Sequence, residues 1–123
     1  NANVMAIPIE FRAKRTDNRQ WIHGVYGFKK LMNKHFILVE TTEPYSRVTY
    51  FDEVEVLPET VGQLRYVKKN TKYFDGDVYY HAGYGMETVS DICEIQFALA
   101  AGNADDIGDI AGNLVDNPEF LKL

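Results

Sequence analysis

Apolar and polar side chains alternate along a series of short segments, and no long helical pattern appears before residue 100. Ile7, Ile9 and Phe11 alternate with Pro, Glu and Arg, and a period of two is typical of a half-buried strand. The turn residues of Thr16-Asp17-Asn18-Arg19 and a second alternating segment, 21–26, complete a predicted hairpin. Further strands are predicted at 36–42, 48–56, 61–67, 78–80 and 92–99. Many short strands separated by turns favour a barrel or a sandwich.

Helix signals are confined to the end of the chain. Residues 98–103 contain good helix formers, and Asn117-Pro118-Glu119 supplies an N-cap, a proline at the first helical position and a carboxylate at the positive end of the helix dipole. The expected fold is mainly β, a small antiparallel barrel-like domain with a short C-terminal helical turn. We predict a single domain over residues 1–123 and set Asn1-Ala2 aside as a remnant.

Composition limits the class of protein. A chain of 123 residues buries enough surface for one core without disulfides, and 46% hydrophobic residues are typical of a globular protein. Cys93 is the only cysteine, which favours a reducing compartment, and no apolar run reaches the length of a membrane span. We therefore expect a cytoplasmic protein with no membrane partner.

Charge is unevenly distributed along the chain. Residues 1–34 contain seven basic and two acidic residues, whereas the remainder contains six basic and sixteen acidic residues. A basic surface for a polyanion would explain this asymmetry, and so would complementary faces that meet within the fold or an oligomer. The overall net charge of −5 favours the second explanation.

The short motifs predict structure more readily than chemistry. The segment PETVGQ (58–63) fits a strand start followed by a glycine bulge, and Asp75-Gly76-Asp77 fits a turn with too few carboxylates for a metal site. Residues 103–114 fail the EF-hand pattern, because Leu114 stands where a bidentate Glu is required. The three histidines are not spaced as a zinc pair, and His23 is expected to be packed and hydrogen-bonded. We predict no catalytic, cofactor-binding or metal-binding residues and no cofactor.

One candidate binding surface is basic and aromatic. Arg12 and Lys14 share a strand face close to Trp21, and basic groups beside aromatic rings often hold single-stranded nucleic acid on small barrels. The full candidate set for nucleic-acid binding is Arg12, Lys14, Arg19, Trp21, Arg65, Lys68 and Lys69.

Three ordered stretches carry a family resemblance. IEFRAKRTDNRQWIHGVYG (9–27), PETVGQ with FDGDVYY (74–80), and AGNLVDNPEFL (111–121) resemble the opening hairpin, the central block and the closing segment of the YopX family of phage and prophage proteins. The chain departs from that family at 65–67, at 70–72 and at Asp75, where the family usually has Glu.

The resemblance implies a barrel-like, self-associating β domain in the cytoplasm of a bacterial host, and it supplies no established reaction. The leading hypothesis is an accessory phage or prophage protein that acts as a non-catalytic, homo-oligomeric binding module. One alternative is a single-strand-binding module that uses the basic hairpin. The other is a metal-dependent hydrolase that uses Asp75, Asp77 and a histidine. Ligand, oligomer number and biological partner are left open.

Overall fold

The computed structural model describes residues 8–90 and 102–122, and within these ranges the chain is mainly β. Its strands pair antiparallel. They are β1 (Phe11–Lys14), β2 (Trp21–Lys29), β3 (Lys34–Thr42), β4 (Thr49–Glu55), β5 (Gly62–Lys68), β6 (Thr71–Phe74), β7 (Asp77–His81), β8 (Gly85–Thr88) and β9 (Ile107–Asn113). The mainly β, antiparallel expectation is therefore confirmed.

Two finer features differ from the expected fold. The described strands form open sheets, because β4 pairs with β3 alone, and no closed barrel is found among them. The helical turn at the C-terminus is a short 3-10 turn, Pro118–Lys122. The strand expected at 92–99 and the helix formers at 98–101 lie outside the described residues.

The chain divides into two compact units. The N-terminal unit is Ile9–Gln63, and the described residues from Leu64 onward belong to the C-terminal unit. The prediction of one domain over residues 1–123 stays a prediction.

The N-terminal unit is built on a four-stranded antiparallel sheet in the order β4-β3-β2-β1, and Gly62 and Gln63 at the start of β5 pair with β1. Its core lies on one side of that sheet, the back face, where Ala13 and Ile37 are fully buried and Val56 packs against them. Phe11, Ile22, Tyr26, Val39 and Val61 complete this cluster. Because side chains alternate along a strand, the residues between these point to the opposite, front face.

The PETVGQ segment packs against the end of β1 and is hydrogen-bonded to it. Pro58–Thr60 forms a 3-10 turn, and Thr60 is buried. The Thr60 hydroxyl accepts a hydrogen bond from the Lys14 backbone N–H (2.8 Å) and donates one to the Leu57 carbonyl (2.7 Å). Gly62 then starts β5 beside Arg12. The segment is structural, but the expected details differ: Pro58 begins a 3-10 turn and not a strand, and the irregularity in β5 lies between Leu64 and Tyr66 and not at Gly62.

The C-terminal unit contains two pairings, β5 with β6 and a three-stranded sheet in the order β8-β7-β9. Its core consists of Tyr66, Tyr73, Tyr79, Val89 and Ile107, with Ile110 packed against it. The Tyr73 and Tyr79 rings meet edge to face, with centroids 6.1 Å apart, and the Tyr73 hydroxyl donates a hydrogen bond to the Gly108 carbonyl (2.9 Å). These contacts join β6 of the first pairing to β7 and β9 of the three-stranded sheet.

Asp75-Gly76-Asp77 forms the turn that the sequence predicts. Gly76 has a φ of +88°, a backbone conformation that favours glycine, and Asp77 begins β7. The buried Asp77 carboxylate accepts a hydrogen bond from the Phe74 N–H (2.8 Å), which closes the turn from within.

Candidate interaction surface

The front face of the N-terminal sheet has a fixed arrangement of side chains, set by strand register. Arg12 lies opposite His23, and Lys14 lies opposite Trp21, on β1 and β2. Further along the sheet, Val25 lies opposite Leu38, and Glu40 lies opposite Phe51. Paired residues project from the same side of an antiparallel sheet, so these side chains share one surface.

The β1 side of the front face carries a cation–aromatic cluster. The Arg12 guanidinium lies 4.6 Å from the centre of the Trp21 ring, and the Lys14 ammonium lies 5.4 Å from it. Both distances allow attraction between a cation and the negative face of an indole ring. The structure therefore brings together three residues of the predicted nucleic-acid set.

A fourth residue of that set, Arg19, lies in the exposed turn after β1, with a φ of +60°. The turn is ordered by the Arg15 guanidinium, which donates two hydrogen bonds to the Asp17 carboxylate, at 2.8 and 2.7 Å. This pairing lowers the pKa of Asp17 and raises the pKa of Arg15. Both groups are solvent-exposed, so the pair adds order to the turn and little stability.

The centre of the front face is apolar and open to solvent. Val25 is 53% exposed and Phe51 is 58% exposed, with the partly buried Leu38 between them. These three side chains help to line an open groove, together with Glu10, His23 and Glu40. His23 is hydrogen-bonded to Glu10 (3.2 Å), as expected, but half of its side chain is exposed, so it borders the groove instead of packing inside the unit.

The β3 and β4 side of the front face is acidic. Glu40 lies on β3, and Glu53 and Glu55 lie on β4. Lys29 at the end of β2 forms an ion pair with Glu53, and its ammonium lies 5.6 Å from the Phe36 ring. The front face therefore runs from basic at β1, through apolar, to mainly acidic at β4.

The second basic run lies in the C-terminal unit, where two of its cations have internal partners. The Arg65 guanidinium donates to both oxygens of Asp75, at 2.7 and 3.1 Å, and the Lys68 ammonium donates to the Ile107 carbonyl. Lys69 lies in the exposed turn between β5 and β6, with a φ of +56°. Arg65 and Lys68 thus have contacts that stabilise their own unit.

The carboxylates of the hydrolase hypothesis are likewise engaged. Asp75 binds Arg65, and Asp77 is buried with a backbone N–H donor. In residues 8–90 and 102–122, no group of three or more His, Cys, Asp or Glu side chains is placed to hold a metal ion.

His81 is the one histidine of the C-terminal unit that the structure describes, and it is buried. Its ring lies against Tyr84, with centroids 4.7 Å apart, and its Nδ1 has no hydrogen-bond partner among the described residues.

Sequence reasoning found the cation–aromatic cluster and missed the apolar centre beside it. The sequence signal for it lay in segment 21–26, where apolar residues occur on both faces of the predicted strand. Phe51 was hidden because it lies in a strand with three acidic residues, Asp52, Glu53 and Glu55. Knowing which apolar side chain faces outward required the register of β3 with β4.

Comparisons with known proteins yield no match to a family model, to a curated protein or to a solved structure. Within the described part of the chain, no helix is long and apolar enough to cross a bilayer.

Proposed function

We propose that this protein is a non-catalytic binding module that assembles with copies of itself through the front face of its N-terminal sheet. The observation that carries the proposal is the exposed Val25–Leu38–Phe51 centre. It lies between the cations of β1 and the carboxylates of β3 and β4. The phage or prophage origin and the bacterial cytoplasm belong to the proposal on the strength of the YopX resemblance.

Charge complementarity favours a second copy as the occupant of this face. A twofold axis along the strands, between β2 and β3, lays β1 of one copy over β4 of the other. By the strand registers, Arg12 on β1 then lies over Phe51 of the second copy, two residues from Glu53, and His23 lies over Glu40. The same operation places Val25 over Leu38 of the second copy, which buries the apolar centre.

Contact through the face is favoured over contact through the sheet edge. The described edge strand β4 exposes Asp52, Glu53 and Glu55, so two copies paired edge to edge would bring like charges together. Charged edge strands are a common protection against uncontrolled pairing. On the face, by contrast, the strand that carries Arg12 and Lys14 meets the strand that carries the carboxylates.

Two neighbouring substitutions on β4 test the proposal. Phe51→Lys places a cation in the apolar centre, whereas Tyr50→Lys adds the same charge one residue away, on the back face, at a side chain that is 41% exposed. Losing the burial of Phe51 twice per dimer costs about 2–3 kcal/mol, which raises the dissociation constant roughly 30- to 150-fold. Sedimentation equilibrium measures the dissociation constant of each variant. Equal dissociation by the two would refute an interface on the front face.

Single-stranded nucleic acid is the second candidate ligand, supported by the cation–aromatic cluster of Arg12, Lys14 and Trp21. Fluorescence anisotropy with a short labelled oligonucleotide tests it. Binding is expected to weaken steeply with salt, by about 1.4 logarithmic units per tenfold rise in salt if two cations contact phosphates. Arg12→Glu with Lys14→Glu should abolish binding, whereas Lys30→Glu with Lys34→Glu, the same charge change elsewhere, should leave the Trp21 site intact. Salt-insensitive binding would exclude this role.

A further inference from the structure

The hairpin that joins β2 to β3 ends in an exposed apolar tip. The tip comprises Phe28–Lys34, in which Lys30–Met32 forms a 3-10 turn and Asn33 has a φ of +51°. Leu31 is fully exposed at the turn, Met32 is 57% exposed and Phe28 is 47% exposed. Exposing three large apolar side chains in one tight turn is costly in water, and clusters of this kind mark interaction sites.

These apolar side chains point in different directions around the tip. Phe28 lies on the back-face side, where its ring contacts His35 with centroids 4.6 Å apart. Met32 lies on the front-face side, next to Phe36 and Lys34. Leu31 lies in the turn itself and is fully exposed. A flat or grooved protein surface would contact one side of such a tip, whereas a fluid lipid interface surrounds it.

Lysines surround the apolar tip. Lys29 and Lys34 lie directly opposite each other across the hairpin, and Lys30 follows at the turn. Like charges at opposed positions repel, and the Lys29–Glu53 ion pair offsets only one of the two. Lys30 and Lys34 form no ion pair within residues 8–90 and 102–122. A further carboxylate, Glu55, lines the same groove as Met32 and Lys34 on the front-face side of the tip. The tip therefore favours an external anion.

We propose that this hairpin tip docks on the surface of an anionic lipid bilayer, with Leu31 inserted below the headgroups and Lys30 and Lys34 against their phosphates. Apolar side chains combined with basic ones are the pattern of peripheral membrane attachment. This contact needs no membrane-spanning segment. It does not rest on the proposed self-association, although several tips on one assembly would strengthen binding.

Vesicle co-sedimentation of the full chain tests the inference, using phosphatidylcholine vesicles with and without phosphatidylserine. We expect binding to the phosphatidylserine vesicles that weakens as salt is raised. Leu31→Asp should lower the partition coefficient roughly thirtyfold or more, since burial of one leucine is lost. Lys30→Glu with Lys34→Glu should remove the preference for phosphatidylserine.

Tyr45→Asp is the matched control. Tyr45 is 99% exposed in the turn beyond the other end of β3, so its replacement removes a similar exposed side chain far from the tip. Both side chains are exposed, and thermal unfolding should be unchanged in either variant. Equal binding to both kinds of vesicle would overturn the inference, and so would equal losses for Leu31→Asp and Tyr45→Asp. No binding to either kind of vesicle would also overturn it and would leave a protein partner as the occupant of the tip. The proposed self-association is tested separately by the solution mass of the protein, so that either proposal can fail without the other.

Discussion

Replacing Tyr73 by Phe tests how the C-terminal unit is joined, because it removes one hydroxyl and leaves the ring. The Tyr73 side chain is buried, with 1% of the residue exposed, and its hydroxyl donates a 2.9 Å hydrogen bond to the Gly108 carbonyl on β9. A hydrogen bond of this kind contributes about 1 kcal/mol net, and a carbonyl left without its donor adds up to about 1 kcal/mol more. The edge-to-face contact with Tyr79 is retained.

We therefore expect Tyr73→Phe to lower the free energy of unfolding by about 1–2 kcal/mol at neutral pH. Urea denaturation followed by circular dichroism measures this loss. Tyr80→Phe is the control, since Tyr80 is on β7 and 54% exposed, and its hydroxyl should contribute little. If the two substitutions cost the same, the hydrogen bond to Gly108 does not stabilise the unit.

The contribution of Tyr73 to the free energy of unfolding should also depend on pH, and Tyr73→Phe tests this. Burial, followed by the charges of Asp109 and Asp77, raises the pKa of Tyr73 above its usual value of 10.0. The folded state thus retains the phenol proton after the unfolded state has released it. Stability from Tyr73 is fully present below about pH 10 and is lost as the pH rises through the folded-state pKa. Phenylalanine cannot ionise, so the difference between wild type and Tyr73→Phe should shrink above pH 10. A difference that grows there would contradict the assigned cause.

Two further substitutions test the N-terminal unit by denaturant unfolding. Ile37→Ala removes a fully buried side chain from the back-face core and should cost about 2–5 kcal/mol; a loss below about 1 kcal/mol would mean that the core is not packed there. Thr60→Val removes the hydroxyl that bonds the Lys14 N–H and the Leu57 carbonyl, and should cost about 1.5–3 kcal/mol, whereas Thr60→Ser keeps the hydroxyl and should cost less than half as much. Equal losses for Val and Ser would show that the methyl group, and not the hydroxyl, matters at this position.

The sequence predicted the strands whose side chains alternate strongly. Segments 21–26, 36–42 and 61–67 correspond to β2, β3 and β5, because their own β-branched and aromatic residues favour extended backbone. The first strand was placed too early, since β1 begins at Phe11 and Ile9 is 76% exposed. Alternation indicates a strand better than it indicates where that strand gains a partner.

The missed strands depend on contacts that no local pattern contains. β9 includes two glycines and an aspartate, all poor strand formers, and its pairing with β7 determines its conformation. Gly108 is needed there because a Cβ would lie 2.8 Å from the Tyr80 carbonyl oxygen. β8 was also missed, and its conformation likewise depends on pairing with β7. Long-range pairing also decides whether strands close into a barrel, which explains why the alternating pattern overestimated closure.

The interaction surface was predictable only in part. Arg12, Lys14 and Trp21 could be grouped because their spacing on one hairpin places them on one face. Phe51 could not be added, because its orientation follows from the pairing of β4 with β3. The hairpin tip was hidden for a different reason: apolar residues such as Leu31 normally indicate burial, and only the turn between β2 and β3 leaves this one exposed.

The solution mass of the unmodified chain, measured by sedimentation equilibrium over a wide concentration range, tests the account most directly. One copy has a mass of 14.1 kDa. If the basic, apolar and acidic parts of the front face complement a second copy, the mass should rise with concentration to a multiple of this value, and added salt should weaken the association. A mass that stays at 14.1 kDa at every concentration would contradict the account.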